Sequence, residues 1–126
     1  MGIVLITGSG GLIGSEAARH FGAQGLDVVG IDNDMRKVFF GDEASTARNV
    51  ERLQAELGRR YRHQDVDVRN RQAILDLFER YRDEIVLVIH AAAQPSHDWA
   101  AREPFTDFDI NAVATLNLLE STRRHA

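Results

Sequence analysis

Short stretches of consecutive apolar residues alternate along this chain with longer segments that are apolar on one side only. The short stretches have the length and the β-branched content of strands, without a regular apolar–polar alternation. Strands that are apolar throughout are typical of a sheet covered by helices on both faces. Four strands are predicted, at Ile3–Thr7, Leu26–Asp32, Tyr61–Val66 and Ile85–His90.

The longer segments carry apolar residues at intervals of three and four, which is the spacing of one helix face. The clearest example places Ile74, Leu77 and Phe78 on one side of a helix. Two further stretches, Gly30–Ser45 and Gln94–Glu103, lack this spacing and are predicted to be irregular. Helices are predicted at Leu12–Gln24, Ser45–Leu57, Arg71–Tyr81 and Thr106–Arg124.

A strand followed by a helix, four times in succession, indicates right-handed βαβ units and therefore a parallel sheet. With 126 residues, the chain is one domain or part of one. The predicted fold class is α/β, with a Rossmann-type doubly wound parallel sheet. A ligand crevice in such a sheet lies beyond the carboxyl ends of the strands.

Composition narrows the class of protein. Fifteen Lys and Arg against nineteen Asp and Glu give a net charge of −4, so no overall basic field is present to hold a nucleic acid. The run Arg59–Arg62 is therefore interpreted as a solvated face. The absence of cysteine excludes a disulfide scaffold and a cysteine nucleophile. No apolar run reaches membrane-spanning length and no signal peptide follows Met1, so we expect no membrane partner and a cytoplasmic protein.

A glycine-rich segment lies between the first predicted strand and the first predicted helix. Gly8 allows a tight turn, Gly11 lets the main chain approach a pyrophosphate, and Gly14 lets the helix pack close to the strand. The N–H groups and the positive end of the helix dipole then face the phosphates. The candidate dinucleotide-binding residues of this segment are Gly8, Gly10, Gly11, Leu12, Ile13 and Gly14.

Other interpretations of the glycine segment are weaker. A P-loop is excluded because no lysine follows the glycines. A glycine-rich turn without a ligand and a methyltransferase-type loop that binds adenosyl-methionine both stay open as alternatives. Thr7 stands where a methyltransferase loop has an acidic residue, which counts against the second of them.

Asp32 ends the second predicted strand, eighteen positions after Gly14. This is the spacing of a carboxylate that accepts hydrogen bonds from the hydroxyls of an adenosine ribose. Such a carboxylate repels a 2′-phosphate, so the predicted cofactor is NAD and not NADP. Arg36 lies nearby in the sequence and could pair with a phosphate, and this is the alternative.

Together with the rest of the chain, these residues resemble the extended short-chain dehydrogenase/reductase family of nucleotide-sugar epimerases and dehydratases. The resemblance extends over almost the whole chain and implies a sheet with strand order 3-2-1-4, truncated before strand five. The matching segments are the Thr-Gly-x-x-Gly-x-x-Gly loop at 7–14, Asp32-Asn33, and the segments at 67–70, 90–93 and 111–120.

The resemblance implies roles for residues beyond the later strands. Asp67 and Val68 match an acidic–aliphatic pair that contacts the adenine in this family. Small residues at 91–93 pass beneath the ribose and the nicotinamide, where larger side chains would block the cofactor. The remaining cofactor-binding residues implied by the resemblance are Ala91, Ala92, Ala93, Asn33 and Asn111.

Segments 32–36, 39–41 and 92–100 look more specifically like a branch of the family that acts on CDP-sugars. Members of this branch oxidise a sugar carbon with bound NAD and return the hydride to the opposite face. A CDP-sugar substrate is therefore expected, and the intact protein is expected to be a homo-oligomer. Gln94, Ser96 and His97 are expected at the nicotinamide and substrate side of the cleft.

The family's catalytic Tyr-x-x-x-Lys pair is missing from this chain. In that pair the lysine holds the cofactor ribose and lowers the pKa of the tyrosine. Tyr61 and Tyr81 are followed four positions later by Asp65 and Ile85, and Lys37 has no tyrosine four positions before it. No catalytic residue is therefore assigned.

Residues 1–126 are accordingly predicted to be the N-terminal, NAD-binding part of a Rossmann domain, incomplete and inactive by itself. The alternative is a module of the same fold that senses a dinucleotide and catalyses nothing. No metal is expected, because the five histidines show no paired ligand spacing. His90 is predicted to close a buried strand and to satisfy backbone groups.

Overall fold

The computed structural model describes residues 2–126, with side chains at all of these positions except 36 and 39. Its strands form one parallel sheet in the order β3-β2-β1-β4, which is the predicted order. Thr7 pairs with Ile31 and with His90, and Ile31 pairs with Gln64, so all four strands end at one edge of the sheet. The strands are β1 (Ile3–Thr7), β2 (Asp27–Ile31), β3 (Tyr61–Gln64) and β4 (Ile85–His90).

Helices connect the strands and cover the sheet. The last two of them run on from one another through a π-helical turn at Asp109–Val113. Single 3₁₀ turns lie at Asp42–Ala44, Gly58–Arg60 and Arg82–Glu84. The helices are α1 (Leu12–Ala23), α2 (Met35–Phe40), α3 (Ala47–Leu57), α4 (Arg71–Tyr81), α5 (His97–Arg102), α6 (Pro104–Phe108) and α7 (Ala114–His125).

The two faces of β1 belong to two separate cores, because successive side chains of a strand point to opposite faces of the sheet. Ile3 and Leu5 are buried with residues of α4 and α7, among them Phe78. Val4 and Ile6 are buried on the other face with residues of α1 and α3. A central strand that is apolar throughout is thus covered on both faces, as its sequence predicts.

Both stretches predicted to be irregular contain short helices. The first, Gly30–Ser45, holds α2, and the second, Gln94–Glu103, holds α5. Each helix has six residues, too few to show a repeating apolar face. Ser96 nevertheless marks the start of α5, because its hydroxyl accepts a hydrogen bond from the N–H of Trp99 at 3.2 Å.

Strand β4 lies at an edge of the described sheet and is only partly buried. Val86 is 60% exposed and Leu87 is 38% exposed. The expectation that helices cover both faces of every strand is therefore wrong for β4. The run of apolar residues at Ile85–His90 resembles that of a central strand, but in residues 2–126 β1 is its only neighbour.

Candidate functional site

A cavity of about 260 Å³ opens where the strands end, at the edge of the sheet expected for a ligand. It runs from the glycine segment to the residues that follow β2, β3 and β4. Twelve of the predicted cofactor-binding residues line it: Gly8, Gly11, Leu12, Ile13, Gly14, Asp32, Asn33, Asp67, Val68, Ala91, Ala92 and Ala93. Ile31, Met35, Thr46, Val66, Pro95 and Ile110 complete the lining.

Two glycines of the loop are required by its backbone. Gly8 has a φ of +69°, and a Cβ there would lie 2.8 Å from the backbone nitrogen of Ala92. A Cβ on Gly14 would lie 2.0 Å from the carbonyl oxygen of Gly8. Gly14 thus allows the first turn of α1 to pack against the loop backbone that follows β1. The close contact is with this loop, whereas the sequence predicts one with the strand.

Gly11 differs from these two glycines, because it has an extended backbone that any residue can adopt. A Cβ there would meet only the carbonyl oxygen of Gly8, at 3.2 Å, within the described residues. No side chain of the described chain caps α1 at Gly11. The first N–H groups of α1, which belong to Leu12 and Ile13, are therefore available to an anion in the cavity.

Gly10 does not line the cavity, but its N–H and its carbonyl oxygen are both hydrogen-bonded to side chains. Its N–H donates to Oδ2 of Asp32 at 2.9 Å. Its carbonyl oxygen accepts a hydrogen bond from the side-chain amide of Asn49 in α3, at 2.8 Å. A Cβ on Gly10 would approach Thr46 to 2.7 Å, so only glycine fits under the start of α3. The loop is consequently fixed before any ligand binds.

The carboxylate of Asp32 is held by three donors. Besides Gly10, the N–H of Asp34 donates to Oδ1 at 2.7 Å, and the hydroxyl of Thr46 lies 2.9 Å from the same oxygen. An ionised carboxylate offers about four acceptor positions, so about one stays free for a ligand hydroxyl. The side chain of Arg36, the alternative partner for a phosphate, lies outside the described residues.

Asp67 supplies a second fixed carboxylate, beyond β3. It accepts hydrogen bonds from the backbone N–H of Arg69 at 2.9 Å and from its guanidinium at 2.5 to 3.0 Å. Burial alone raises the pKa of Asp67, but the hydrogen bonds from Arg69 outweigh burial and hold the pKa below its usual value. Asp67 therefore stays an ionised acceptor beside the buried Val68.

The residues predicted at the substrate side lie outside the cavity lining. Gln94 is 4% exposed. Its backbone N–H donates to Oδ1 of Asn111 at 2.8 Å, and its side-chain amide donates to Asp107 at 2.8 Å. These hydrogen bonds thus connect the segment after β4 to α6 and to the π-helical turn that follows it. Ser96 caps α5, and His97 is exposed at its first position.

Residues 4–126 match the sequence model of the NAD dependent epimerase/dehydratase family. The chain belongs to this family. CDP-paratose 2-epimerase of Salmonella typhi is 32% identical over 122 residues, which cover 97% of this chain and 33% of that protein. UDP-glucuronate 4-epimerase of Thermodesulfobacterium geofontis (strain OPF15) is 31% identical over 121 residues, which cover 95% and 35%. The chain spans about a third of the length of the curated relatives it matches.

Solved structures of the epimerase/dehydratase family share the fold. UDP-glucose 4-epimerase from Stenotrophomonas maltophila, with bound NAD and formylated UDP-arabinopyranose, superposes with a TM-score of 0.77 at 29% identity, over 98% of this chain and 34% of that one. The enzyme from Bifidobacterium longum, in complex with NAD+ and UDP, superposes with a TM-score of 0.78 at 28% identity, over 98% and 34%. The cofactor predicted from the sequence is thus the one that the family description names and that these two structures contain.

Three residues that organise this family site were not singled out from the sequence: Asp34, Thr46 and Asn49. Thr46 and Asn49 lie at the start of α3, while the residues they hold belong to the glycine loop and the end of β2. One signal could have found them. In a parallel α/β sheet each helix begins near the edge at which the preceding strand ends, so polar residues in its first turn point to the site.

The prediction that His90 satisfies backbone groups is wrong, because its ring is hydrogen-bonded to a side chain. The ring lies at the partly buried end of β4, and its Nδ1 is 2.6 Å from the hydroxyl of Thr7. That hydroxyl also accepts a hydrogen bond from the N–H of Ala92 at 3.1 Å. The hydrogen of the hydroxyl is accepted by Nδ1 when the ring is neutral and carries its proton on Nε2. Burial favours the same form and lowers the pKa of His90 below its usual value.

We expect this arrangement to make folding depend on pH. Because the pKa of His90 is lower in the folded chain, the unfolded chain binds more protons below the usual histidine pKa of about 6.5. The stabilising contribution of neutral His90 is complete above that pH and is lost as the pH falls through the folded pKa. Urea unfolding of wild type and His90→Gln at about pH 7.5 and 5.5 measures it.

The wild type is expected to lose more unfolding free energy than His90→Gln between these two pH values. His20→Gln, on the exposed surface of α1, serves as the control and should behave as the wild type does. An equal pH dependence in wild type and His90→Gln would show that the Thr7–His90 pair does not favour the neutral ring.

Across residues 2–126, no helix combines the length and the apolar character needed to cross a bilayer. Within the same range, no three potential metal-ligating side chains come together around a point where an ion could bind.

Proposed function

We propose that this chain is the NAD-binding, N-terminal part of a nucleotide-sugar epimerase or dehydratase. The observation that carries the proposal is the joint geometry of Gly10 and Asp32. The N–H of Gly10 belongs to a glycine loop of the kind that binds phosphate, and it donates to Asp32, a carboxylate placed as one that binds a ribose. The loop and Asp32 line one cavity. The family match supports the same assignment.

The cavity fits a dinucleotide in each of its parts. The uncapped start of α1 suits a pyrophosphate, because its N–H groups and helix dipole favour negative charge. Asp32 would accept a ribose hydroxyl, and Asp67 with Val68 would hold the adenine. The small side chains of Ala91, Ala92 and Ala93 would leave room for the nicotinamide half. When bound, NAD supplies a hydride acceptor that can return the hydride to the substrate.

For the intact protein we propose the CDP-paratose 2-epimerase branch, with a CDP-sugar as substrate. Support comes from the Salmonella typhi relative and from the likeness of segments 32–36, 39–41 and 92–100. Gln94, Ser96 and His97 would then lie toward the substrate, with Gln94 shaping the segment from inside. We further propose that the intact protein is a cytoplasmic homo-oligomer.

The chain by itself is proposed to be inactive. Within residues 2–126, the hydroxyl of Tyr61 lies 2.8 Å from that of Ser9, and burial raises the pKa of Tyr61. Tyr81 is buried in the core between the sheet, α4 and α7. Neither tyrosine can act as a base at the cavity. A second candidate function, dinucleotide sensing without catalysis, is favoured by this same observation.

Ligand binding tests the proposed function. We expect NAD to bind the 126-residue chain more tightly than NADP in calorimetry, and ADP-ribose to compete with it. A CDP-sugar assay with added NAD should show no turnover. Binding of adenosyl-methionine in place of NAD would contradict the proposal and favour the methyltransferase alternative. A Tyr-x-x-x-Lys pair encoded downstream of Ala126 would separate the enzyme from the sensor.

A further inference from the structure

A second depression, of about 350 Å³, adjoins the cavity on the far side of Asp32. The two share Asp32, Asn33 and Thr46 as a common wall. Beyond that wall, the titratable side chains of its lining are three carboxylates, those of Asp34, Glu51 and Asp65, and one imidazole, that of His63. A group that projects from the cavity past Asp32 would therefore come close to these carboxylates.

Asp34 is the carboxylate of the depression that is tied most closely to this wall. Its backbone is left-handed, with a φ of 60°. Its Oδ1 accepts the N–H of Thr46 at 2.8 Å, and its Oδ2 accepts the hydroxyl of Ser45 at 2.6 Å. Burial raises the pKa of Asp34, but these hydrogen bonds and the nearby Lys37 outweigh burial and lower the pKa. The group is therefore a fixed negative charge.

Thr46 connects the two acidic groups. Its hydroxyl lies 2.9 Å from Oδ1 of Asp32 and 3.2 Å from Oδ1 of Asp34, and the residue is 5% exposed. One hydroxyl has a single hydrogen to donate, so the two carboxylates share it and both keep their negative charge when ionised. The carboxylates of Asp32 and Asp34 thus flank the same buried hydroxyl, at the end of the cavity assigned to the ribose.

Resting on the proposed function, we propose that Asp34 is a second specificity-determining residue, which acts with Asp32 to exclude the 2′-phosphate of NADP. A ribose that binds Asp32 would direct a 2′-phosphate into the depression. The phosphate would carry about −1.5 to −2 charges at neutral pH and would face Asp34 and Asp32 together. Exclusion of NADP is then a joint property of Asp32 and Asp34 and not of Asp32 alone.

Asp34→Asn tests this assignment with little change of structure. Asparagine tolerates the left-handed backbone and can still accept the hydrogen bond from Thr46. We expect the ratio of the NADP to the NAD dissociation constant to fall by about 3- to 10-fold, because one repulsive charge is removed. The change should shrink between about 50 and 500 mM salt as the charges are screened.

Two further variants complete the experiment. Glu51→Gln removes another charge from the same depression and should shift the ratio in the same direction by less. Asp83→Asn, in the 3₁₀ turn before β4, makes the same chemical change outside both cavities and should leave the ratio unaltered. Calorimetric titration of the 126-residue chain with each dinucleotide provides the two constants.

The outcomes distinguish this proposal from the proposed function. If the wild type binds NAD but Asp34→Asn and Glu51→Gln keep its ratio, Asp34 has no part in specificity and this inference is wrong. If Asp34→Asn fails to fold, Glu51→Gln alone decides, and an unchanged ratio overturns the proposal that the carboxylates of the depression exclude NADP. If the wild type binds neither dinucleotide, the proposed function itself is wrong and this inference fails with it.

Discussion

Gly11→Val is expected to lower the affinity for NAD by at least about 100-fold while the chain stays folded. The extended φ and ψ of Gly11 suit a branched residue, and its Cβ would make one tight contact, at 3.2 Å with the carbonyl oxygen of Gly8. The new side chain would stand at the start of α1, where the N–H groups of Leu12 and Ile13 are available to a pyrophosphate. Loss of several charge-assisted hydrogen bonds accounts for the size of the effect. Calorimetry measures the affinity and circular dichroism the fold.

Gly14→Ala in the same loop is the matched comparison. Its Cβ would lie 2.0 Å from the carbonyl oxygen of Gly8 and 2.7 Å from the carbonyl carbon, and neither backbone atom can move aside cheaply. We expect this variant to lose folding stability, unlike Gly11→Val. If Gly11→Val unfolds, that glycine is structural as well. If it folds and binds NAD normally, the pyrophosphate does not approach Gly11.

The sheet could be predicted from the sequence because its central strand is apolar on both faces. The residues of β1 divide alternately between two cores, and this requires helices on both sides. Strand order is not encoded in such a pattern, and it was obtained from the resemblance to the family. The edge position of β4 follows from that order and from the truncation before strand five, whereas the apolar pattern of β4 alone does not indicate that Val86 and Leu87 are exposed.

The candidate site also has one part that the sequence predicts and one part that it does not. Residues that a dinucleotide would touch are found from short-range motifs, because the strand, the turn and the helix that position them are adjacent in sequence. Residues that hold those motifs are not found in this way. Asn49 is thirty-nine positions from Gly10, and the stretch between them contains α2, a helix too short to show periodicity.

Gln94 illustrates the limit of assigning a role by motif. Its position beyond β4 indicates the substrate side of the cleft, yet the side chain turns inward and is used within the protein. Its amide binds Asp107 and the carbonyl oxygen of Ser96, and its oxygen accepts the N–H of Ser96. The hydrogen bond to Asp107 depends on how α6 packs, which no local sequence pattern specifies.

Asp32→Ala is expected to weaken NAD binding by about 1–3 kcal/mol, or roughly 5- to 150-fold, the range for losing hydrogen bonds to a charged group. Two causes act together. The ribose loses its acceptor, and Gly10 loses the carboxylate that fixes its N–H. The free energy of unfolding should also fall, because the N–H of Asp34 loses its acceptor too. Calorimetry and urea unfolding of the same preparation measure both effects.

Thr46→Val is the comparison in which Asp32 loses one hydrogen bond and neither of these two causes acts. It removes the hydroxyl that lies 2.9 Å from Oδ1 of Asp32 but keeps the carboxylate and the shape of the buried side chain. We expect a smaller loss of NAD affinity than in Asp32→Ala, because the ribose acceptor and the hydrogen bond to Gly10 both stay. An Asp32→Ala variant that is less stable but binds NAD as the wild type does would show that Asp32 holds the loop and does not bind the ribose.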